Sequence, residues 1–293
     1  MNAVPALFFE GVVPQFFRKK ELSAGRDLSG PPGLVASDAY AKRCIHCMWL
    51  RNGRLEKERY FNCENQRVDI ETPSKKHLHY TEIFIRAGEE EYRTDPEAME
   101  RVLSATKGKH VHLSLRTPNI SEEIAKCVGS IRFVFELKLN TKITSDVLKM
   151  TRSLVEKNTL TSIQIDNDVE IDDETAQLLV DLLKQNQFHR MYLPAKCSAA
   201  LKTIIASWRE NWEEKVGKMI YCIEEFSELK LSRTEFPFEE CTEEEERDAK
   251  RAYYLAGYWP DITTKSVLRN QGGRALYCFS RPSFGFKSAF VFA

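Results

Sequence analysis

The chain has 293 residues, 42% of them hydrophobic and 29% charged, with 43 basic and 43 acidic side chains and a formal net charge of zero. These proportions are close to globular averages and exclude wholesale disorder. The balanced charge lacks the basic excess with which nucleic-acid and anionic-membrane binders hold phosphate, so neither partner is expected.

No uncharged apolar run approaches the roughly 20 residues needed to cross a bilayer. The eight cysteines are scattered through a chain large enough to be stabilised without cross-links. Reduced thiols, and hence a cytoplasmic or nuclear protein, are the simpler reading.

The start, Met1-Asn2-Ala3-Val4-Pro5 with Glu10 inside its apolar run, lacks the basic opening and small-residue cleavage site of a signal peptide. Residues 1–42 read as a helical segment. Pro14 interrupts its first helix, and Gly30-Pro31-Pro32-Gly33 reads as a linker to the next.

Residues 43–80 read as a β-hairpin and linker. Asn52-Gly53 between two apolar runs is the strongest short hairpin signal, and pairing about it sets Leu50 opposite Leu55 and Ile45 opposite Tyr60. The same stretch holds Cys44-Ile45-His46-Cys47, which with Cys63, His77 and His79 offers zinc-ligand residue types. Residues three apart on a strand face opposite sides, so the hairpin separates Cys44 from Cys47 and no metal is expected.

Over residues 81–224 a Leu-x-Leu arrangement recurs: Ile83 with Ile85, Leu113 with Leu115, Leu137 with Leu139, Ile163 with Ile165, and Met191 with Leu193. The steps between them are 30, 24, 26 and 28 residues, a period that marks stacked repeats. Val134, Leu160 and Phe188 stand three before their pairs, as in a leucine-rich-repeat strand. The position usually held by Asn carries Lys142, Asp168 and Lys196.

Between the strands, Leu201, Ile204, Ile205, Trp208 and Trp212 share one helical face, as do Ala176, Leu179, Val180 and Leu183. Asp95, Ser121, Thr144 and Asp172 stand ahead of helical stretches as N-caps. The predicted class is α/β: an irregular leucine-rich-repeat-like solenoid with a parallel sheet, preceded by helices and a hairpin and closed by a C-terminal helix and hairpin. Residues flanking the buried pairs then line the concave side: Phe84, Ser114, Lys138, Gln164 and Tyr192, with Arg86, Arg116, Asn140 and Asp166 one place outside. Their role is either partner binding or plain solvation.

Residues 225–293 read as a cap. Thr242-Glu243-Glu244-Glu245 is a capping box opening a helix toward Tyr254, and stretches 276–279 and 284–292, around Arg281-Pro282, read as a hairpin that covers an open sheet edge.

No G-x-G-x-x-G, Walker A, G-x-S-x-G or H-E-x-x-H pattern occurs in the sequence. Asp172-Asp173 is explained by capping, and His110 and His112 by packing or solvation. No catalytic residue or cofactor is expected, and a triad dispersed along the chain leaves no such local pattern.

Val4-Pro5, Phe8, Phe9-Glu10 and Val12-Val13, then Asp27-Leu28-Ser29-Gly30, Gly33, Val35-Ala36 and Tyr40, resemble the start of a nematode-specific expanded family of mostly uncharacterised F-box-like proteins. Leu183-Lys184-Gln185-Asn186-Gln187-Phe188, with Trp208, Asn211, Gly217 and Lys218, is similar to that family too. The resemblance implies that Val4, Leu7, Phe8 and Val12 dock a Skp-type adaptor of a cullin-RING ubiquitin ligase while the repeats select substrate. On the residues alone, those apolar side chains instead fold back and cap the first repeat, whose exposed end requires covering. Three functional readings follow: a protein-interaction protein acting as a ligase substrate adaptor, a repeat-domain binder with no ubiquitin role, and an enzyme of unrecognised type.

Overall fold

The computed structural model describes residues 26–62, 64–68, 78–88, 94–210, 213–224, 228–229, 231, 235–255, 263–269, 274–280 and 287–292. Among them the chain is mixed α/β, with seven helices and thirteen strands. It divides into two compact units. The first takes the described residues up to Leu113 with 130–133, and the second takes 114–129 and the described residues from Val134 onward.

In the first unit, helix α1 (Pro31–Lys42) begins inside the stretch expected to be a linker. A proline in the first helical turn forfeits only an N–H that has no helical partner there, and its ring presets φ. Gly33 is required by a close approach, since a Cβ there would lie 1.8 Å from the Leu28 carbonyl oxygen.

Strands β1 (Cys44–Arg51) and β2 (Arg54–Asn62) then form the expected hairpin. Asn52 and Gly53 both have positive φ, 49° and 82°, as a two-residue hairpin turn demands. Leu50 pairs with Leu55 as expected, but Ile45 pairs with Phe61 rather than Tyr60. An irregularity between Trp49 and Leu50 inserts one extra residue on β2, and such a bulge shifts every later pairing by one.

A short β3 (Arg67–Val68) lies beyond β2. On the other side β1 runs parallel to β4 (Leu78–Arg86), which sets Met48 beside Ile83 and Leu50 beside Ile85, all four buried. Helix α2 (Pro96–Thr106) starts where Asp95 accepts the Glu97 N–H, and it buries Ala98, Met99 and Val102.

Strand β5 (His110–Arg116) enters the second unit at Ser114. There follow α3 (Glu122–Ser130), β6 (Val134–Leu139), α4 (Ser145–Glu156), β7 (Ser162–Ile165), α5 (Asp173–Lys184), β8 (Arg190–Leu193), α6 (Ser198–Glu210) and β9 (Met219–Cys222). Strands β6 to β9 lie side by side and parallel, with Leu137, Ile163, Met191 and Ile220 in one register row. Every member of the expected apolar pairs is buried, as are Val134, Leu160 and Phe188.

The caps hold as expected: Ser121 Oγ accepts from Ile124 N at 3.3 Å, Thr144 Oγ1 from Val147 N at 3.4 Å and Asp172 Oδ1 from Thr175 N at 2.8 Å. Past the ends of α5 and α6, two buried lysines meet backbone carbonyls. Lys218 Nζ donates to Gln185 O, and Lys215 Nζ to Ser207 O at 3.0 Å, a favourable place for an ammonium group. Trp212 lies outside the described residues.

The C-terminal hairpin, β12 (Ala275–Ser280) with β13 (Ser288–Phe292), pairs antiparallel onto β9 and so occupies that strand's second edge. Strands β11 (Thr263–Arg269) and β10 (Glu239–Glu240), which the sequence pattern does not announce, extend the sheet further. Helix α7 (Glu243–Leu255) opens with the capping box: Glu245 N donates to Thr242 Oγ1 and Thr242 N to Glu245 Oε2.

Ala249 of α7 packs with Tyr221, Ala289 and Val291, whereas Trp208 of α6 meets Phe292 at 6.1 Å between ring centroids. Neighbouring residues on a strand face opposite sides. Helices α6 and α7 therefore cover opposite faces of the sheet at this end.

Candidate functional site

Lys138, Gln164 and Tyr192 stand in one register row across β6, β7 and β8, continued by Tyr221 on β9. Each of the first three lies between buried neighbours in its strand and is itself only half-buried, so the row faces away from the side that packs α4 to α6. Glu136 and Arg190 share that face two residues earlier on their strands. Lys138 Nζ lies 3.4 Å from Glu136 Oε2. Tyr192 stacks on Tyr221 at 4.8 Å and 14° and packs against the cluster under α7. Lys138 and Gln164 on β6 and β7 thus stay half-exposed, while α7 covers the row at β9.

Three other expected positions do something different. Ser114 is only 3% exposed. Its hydroxyl donates to Asn140 Oδ1 at 3.2 Å, and Asn140 Nδ2 donates to Asp166 Oδ2 at 2.8 Å. The backbone repeats the link, Asn140 N to Leu115 O at 2.8 Å and Asp166 N to Leu139 O at 2.9 Å. These residues tie successive strand ends together, so a polar ladder exists two positions before Lys142 and Asp168. Arg116 is exposed.

In the first unit, Phe84 stacks on Trp49 at 5.2 Å and 7°, Lys57 Nζ lies 5.0 Å from the Trp49 ring, and Phe61 meets that ring edge-on. Arg86 is ion-paired with Glu56, which also takes Arg51 at 3.4 Å. Phe84 and Arg86 are therefore engaged within their own unit.

Beside them lies a charged cluster that the sequence pattern does not reveal. His46, 2% exposed, places Nε2 2.7 Å from Glu58 Oε1 and stacks on Tyr60 at 4.6 Å. Arg101 of α2 clasps the same carboxylate through Nε at 3.1 Å and one terminal nitrogen at 3.0 Å. Burial, opposed by Glu58, lowers the pKa of His46. Burial raises that of Glu58, but its bonds to Arg101 and His46 outweigh this and bring it below the usual range. The consistent state is a neutral imidazole donating to a carboxylate held by a guanidinium. Twelve residues separate His46 from Glu58, and only the hairpin register, read with its bulge, brings them together.

Of the zinc-type residues, Cys44 and Cys47 lie on β1 as expected. Cys44 Sγ contacts Lys42 O at 3.5 Å, and Cys47 Sγ contacts Glu82 Oε2 at 3.8 Å. Burial, reinforced by Glu82, pushes the Cys47 thiol up to about 12. Cys63, His77 and the His79 side chain lie outside the described residues, among which no three His, Cys, Asp or Glu side chains converge as a metal site.

Val4, Leu7, Phe8 and Val12 also lie outside the described residues. Among those described, no helix is long and apolar enough to cross a membrane. No protein-family model, curated protein or solved structure matches this chain.

Proposed function

We propose that this protein is a binding protein whose second unit holds a protein partner on the face carrying Lys138, Gln164 and Tyr192. The observation behind this reading is the register row itself: three consecutive parallel strands present a cation, an amide and an aromatic ring side by side on a rigid sheet. An aromatic ring with a polar tip and adaptable polar neighbours suits protein recognition. The strand-helix units behind the row are of the irregular leucine-rich-repeat kind, supported by the spacing of the buried pairs and the parallel order of β6 to β9. A cytoplasmic or nuclear setting fits the reduced cysteines.

The test is affinity capture followed by measurement of each captured protein's affinity for wild type and for Lys138→Glu and Tyr192→Ala. At least one partner should bind about tenfold more weakly to both variants while their circular dichroism is unchanged, an effect of about 1.4 kcal/mol. Equal affinity throughout would remove this face.

A narrower reading assigns the protein to a ubiquitin ligase as a substrate adaptor, with Val4, Leu7, Phe8 and Val12 docking a Skp-type adaptor. It rests on the resemblance within the first forty residues. Retention of purified adaptor by wild type, abolished in Leu7→Ala/Phe8→Ala, supports it, and absence of retention by wild type sinks it.

A further inference from the structure

We propose that Cys197 and Cys222 are a disulfide-forming pair, oxidised by a hydroperoxide so as to join the turn ahead of α6 covalently to the end of β9. Their sulfur atoms lie 3.9 Å apart and both residues are buried. The two side chains are set differently. Cys222 is fixed in the sheet, opposite Leu193 of β8 and Ser288 of β13, and its carbonyl oxygen accepts from Lys287 N at 3.0 Å. Cys197 closes a short turn after β8 in which Lys196 holds a φ of 61°, a conformation that a non-glycine side chain keeps only under constraint.

A disulfide needs the sulfurs at about 2.05 Å, so they must approach by roughly 1.9 Å. The turn at 194–197 is the element that can supply this movement.

The chemistry balances without a metal. One of the two thiols gives up its proton and attacks the peroxide as thiolate, breaking the O–O bond; this gives a sulfenic acid and an alkoxide, which takes up that proton and leaves as an alcohol, or as water in the case of hydrogen peroxide. The other sulfur then attacks the sulfenic sulfur and expels hydroxide, which leaves as water with the second thiol's proton. Two thiols lose two electrons to one hydroperoxide.

Contact with Cys197, then burial, holds the Cys222 thiol well above the usual range. Burial of both sulfurs makes the reaction slow. The product closes a loop between residues 25 apart and pins α6 to the strand on which the C-terminal hairpin is built.

Full-length protein is equilibrated separately with hydrogen peroxide and with a glutathione/glutathione disulfide buffer, its free thiols are blocked under denaturing conditions, and it is digested for mass spectrometry. The expected result is a linked peptide pair containing Cys197 and Cys222, two hydrogens lighter than the free pair, together with a raised melting temperature. The link disappears in Cys197→Ser and persists in Cys278→Ser. The proposal is overturned if both cysteines are found blocked after either treatment, or if Cys222 links to Cys278 instead. Because the link is read on the unmutated chain, misfolding of the Ser variant does not alter the outcome.

Discussion

Where β1 and β2 of the first unit meet α2, the contact runs through His46, Glu58 and Arg101, with the imidazole and the guanidinium each within 3.1 Å of the shared carboxylate. Where β7 and β8 of the second unit are backed by α5 and α6, the buried positions are Ile163, Met191, Leu179, Ile204 and Trp208. The first arrangement depends on a protonation state. The second depends on volume and shape, which pH leaves unchanged, with His189 just ahead of β8, lowered by burial and by Lys218, as a titrating exception. The same α/β vocabulary thus yields one region sensitive to solution conditions and one sensitive to truncation of its side chains.

The largest expected effect tests the second half of that contrast. Trp208 is wholly buried against the sheet, so Trp208→Ala should cost about 3–5 kcal/mol of the second unit's stability, read as lost hydrogen-exchange protection in α4 to α6. Equal loss in β1 and β2 would show that the two units unfold as one and would erase the comparison.

Next in size is Glu58→Ala, which leaves His46 buried without its acceptor. A loss of about 1–3 kcal/mol is expected, confined to exchange protection in β1, β2 and α2. Acid makes the same point on the wild-type chain. The folded pKa of His46 is below its unfolded value because burial disfavours the imidazolium, so the unfolded chain binds the proton first. Stability contributed by the neutral histidine is complete above the unfolded value of about 6.5 and is lost as pH falls through the folded one. His110, lowered by burial and by its neighbour His112, adds to this with the same sign. Protection in the first unit should therefore fall between about pH 7 and pH 5 by more than it does in α4 and α5, and equal falls would remove the cluster's role.

A smaller effect is expected from Asp172→Ala, which removes the acceptor of the Thr175 N–H at 2.8 Å. Fraying of α5 worth about 1 kcal/mol should follow, independent of pH between roughly 6 and 8.

How far each region was legible follows from the same contrast. The second unit was readable because its information is local and periodic. The pairs from Leu137 to Leu193 announce buried strand positions, and Thr144 and Asp172 announce helix starts, each within a few residues. The first unit was readable only in outline. Asn52-Gly53 fixed the turn, but the bulge that moved Ile45 from Tyr60 to Phe61 has no local signature, and it also governs which residues meet His46. The start of α1 was hidden because Gly30-Pro31-Pro32-Gly33 satisfies both a loop composition and a helix N-terminus. Among the expected face residues, Lys138, Gln164 and Tyr192 follow from alternation alone. The roles of Ser114, Asn140 and Asp166 needed the register between strands, which spacing within one strand does not contain.

That ladder offers the finest test, because it is where the second unit comes nearest to the chemistry of the first. Asn140 bridges Ser114 and Asp166 as a neutral amide, donating through Nδ2 to the Asp166 carboxylate at 2.8 Å. Asn140→Asp keeps the shape and replaces the donor with a second carboxylate. Two such groups in contact cannot both ionise cheaply, so the pair's first proton is held more tightly in the folded chain than in the unfolded one. With a raised folded pKa the penalty, about 0.5–1.5 kcal/mol, is complete well above that value and vanishes as pH drops toward the unfolded carboxylate value of about 3.9. The variant's second unit should therefore gain stability relative to wild type on acidification, while the first unit, with His46 unchanged, loses it. Melting followed between about pH 7 and pH 4 should show the deficit of Asn140→Asp shrinking toward zero. A deficit constant over that range would mean that the amide acts through shape rather than as the donor of the ladder.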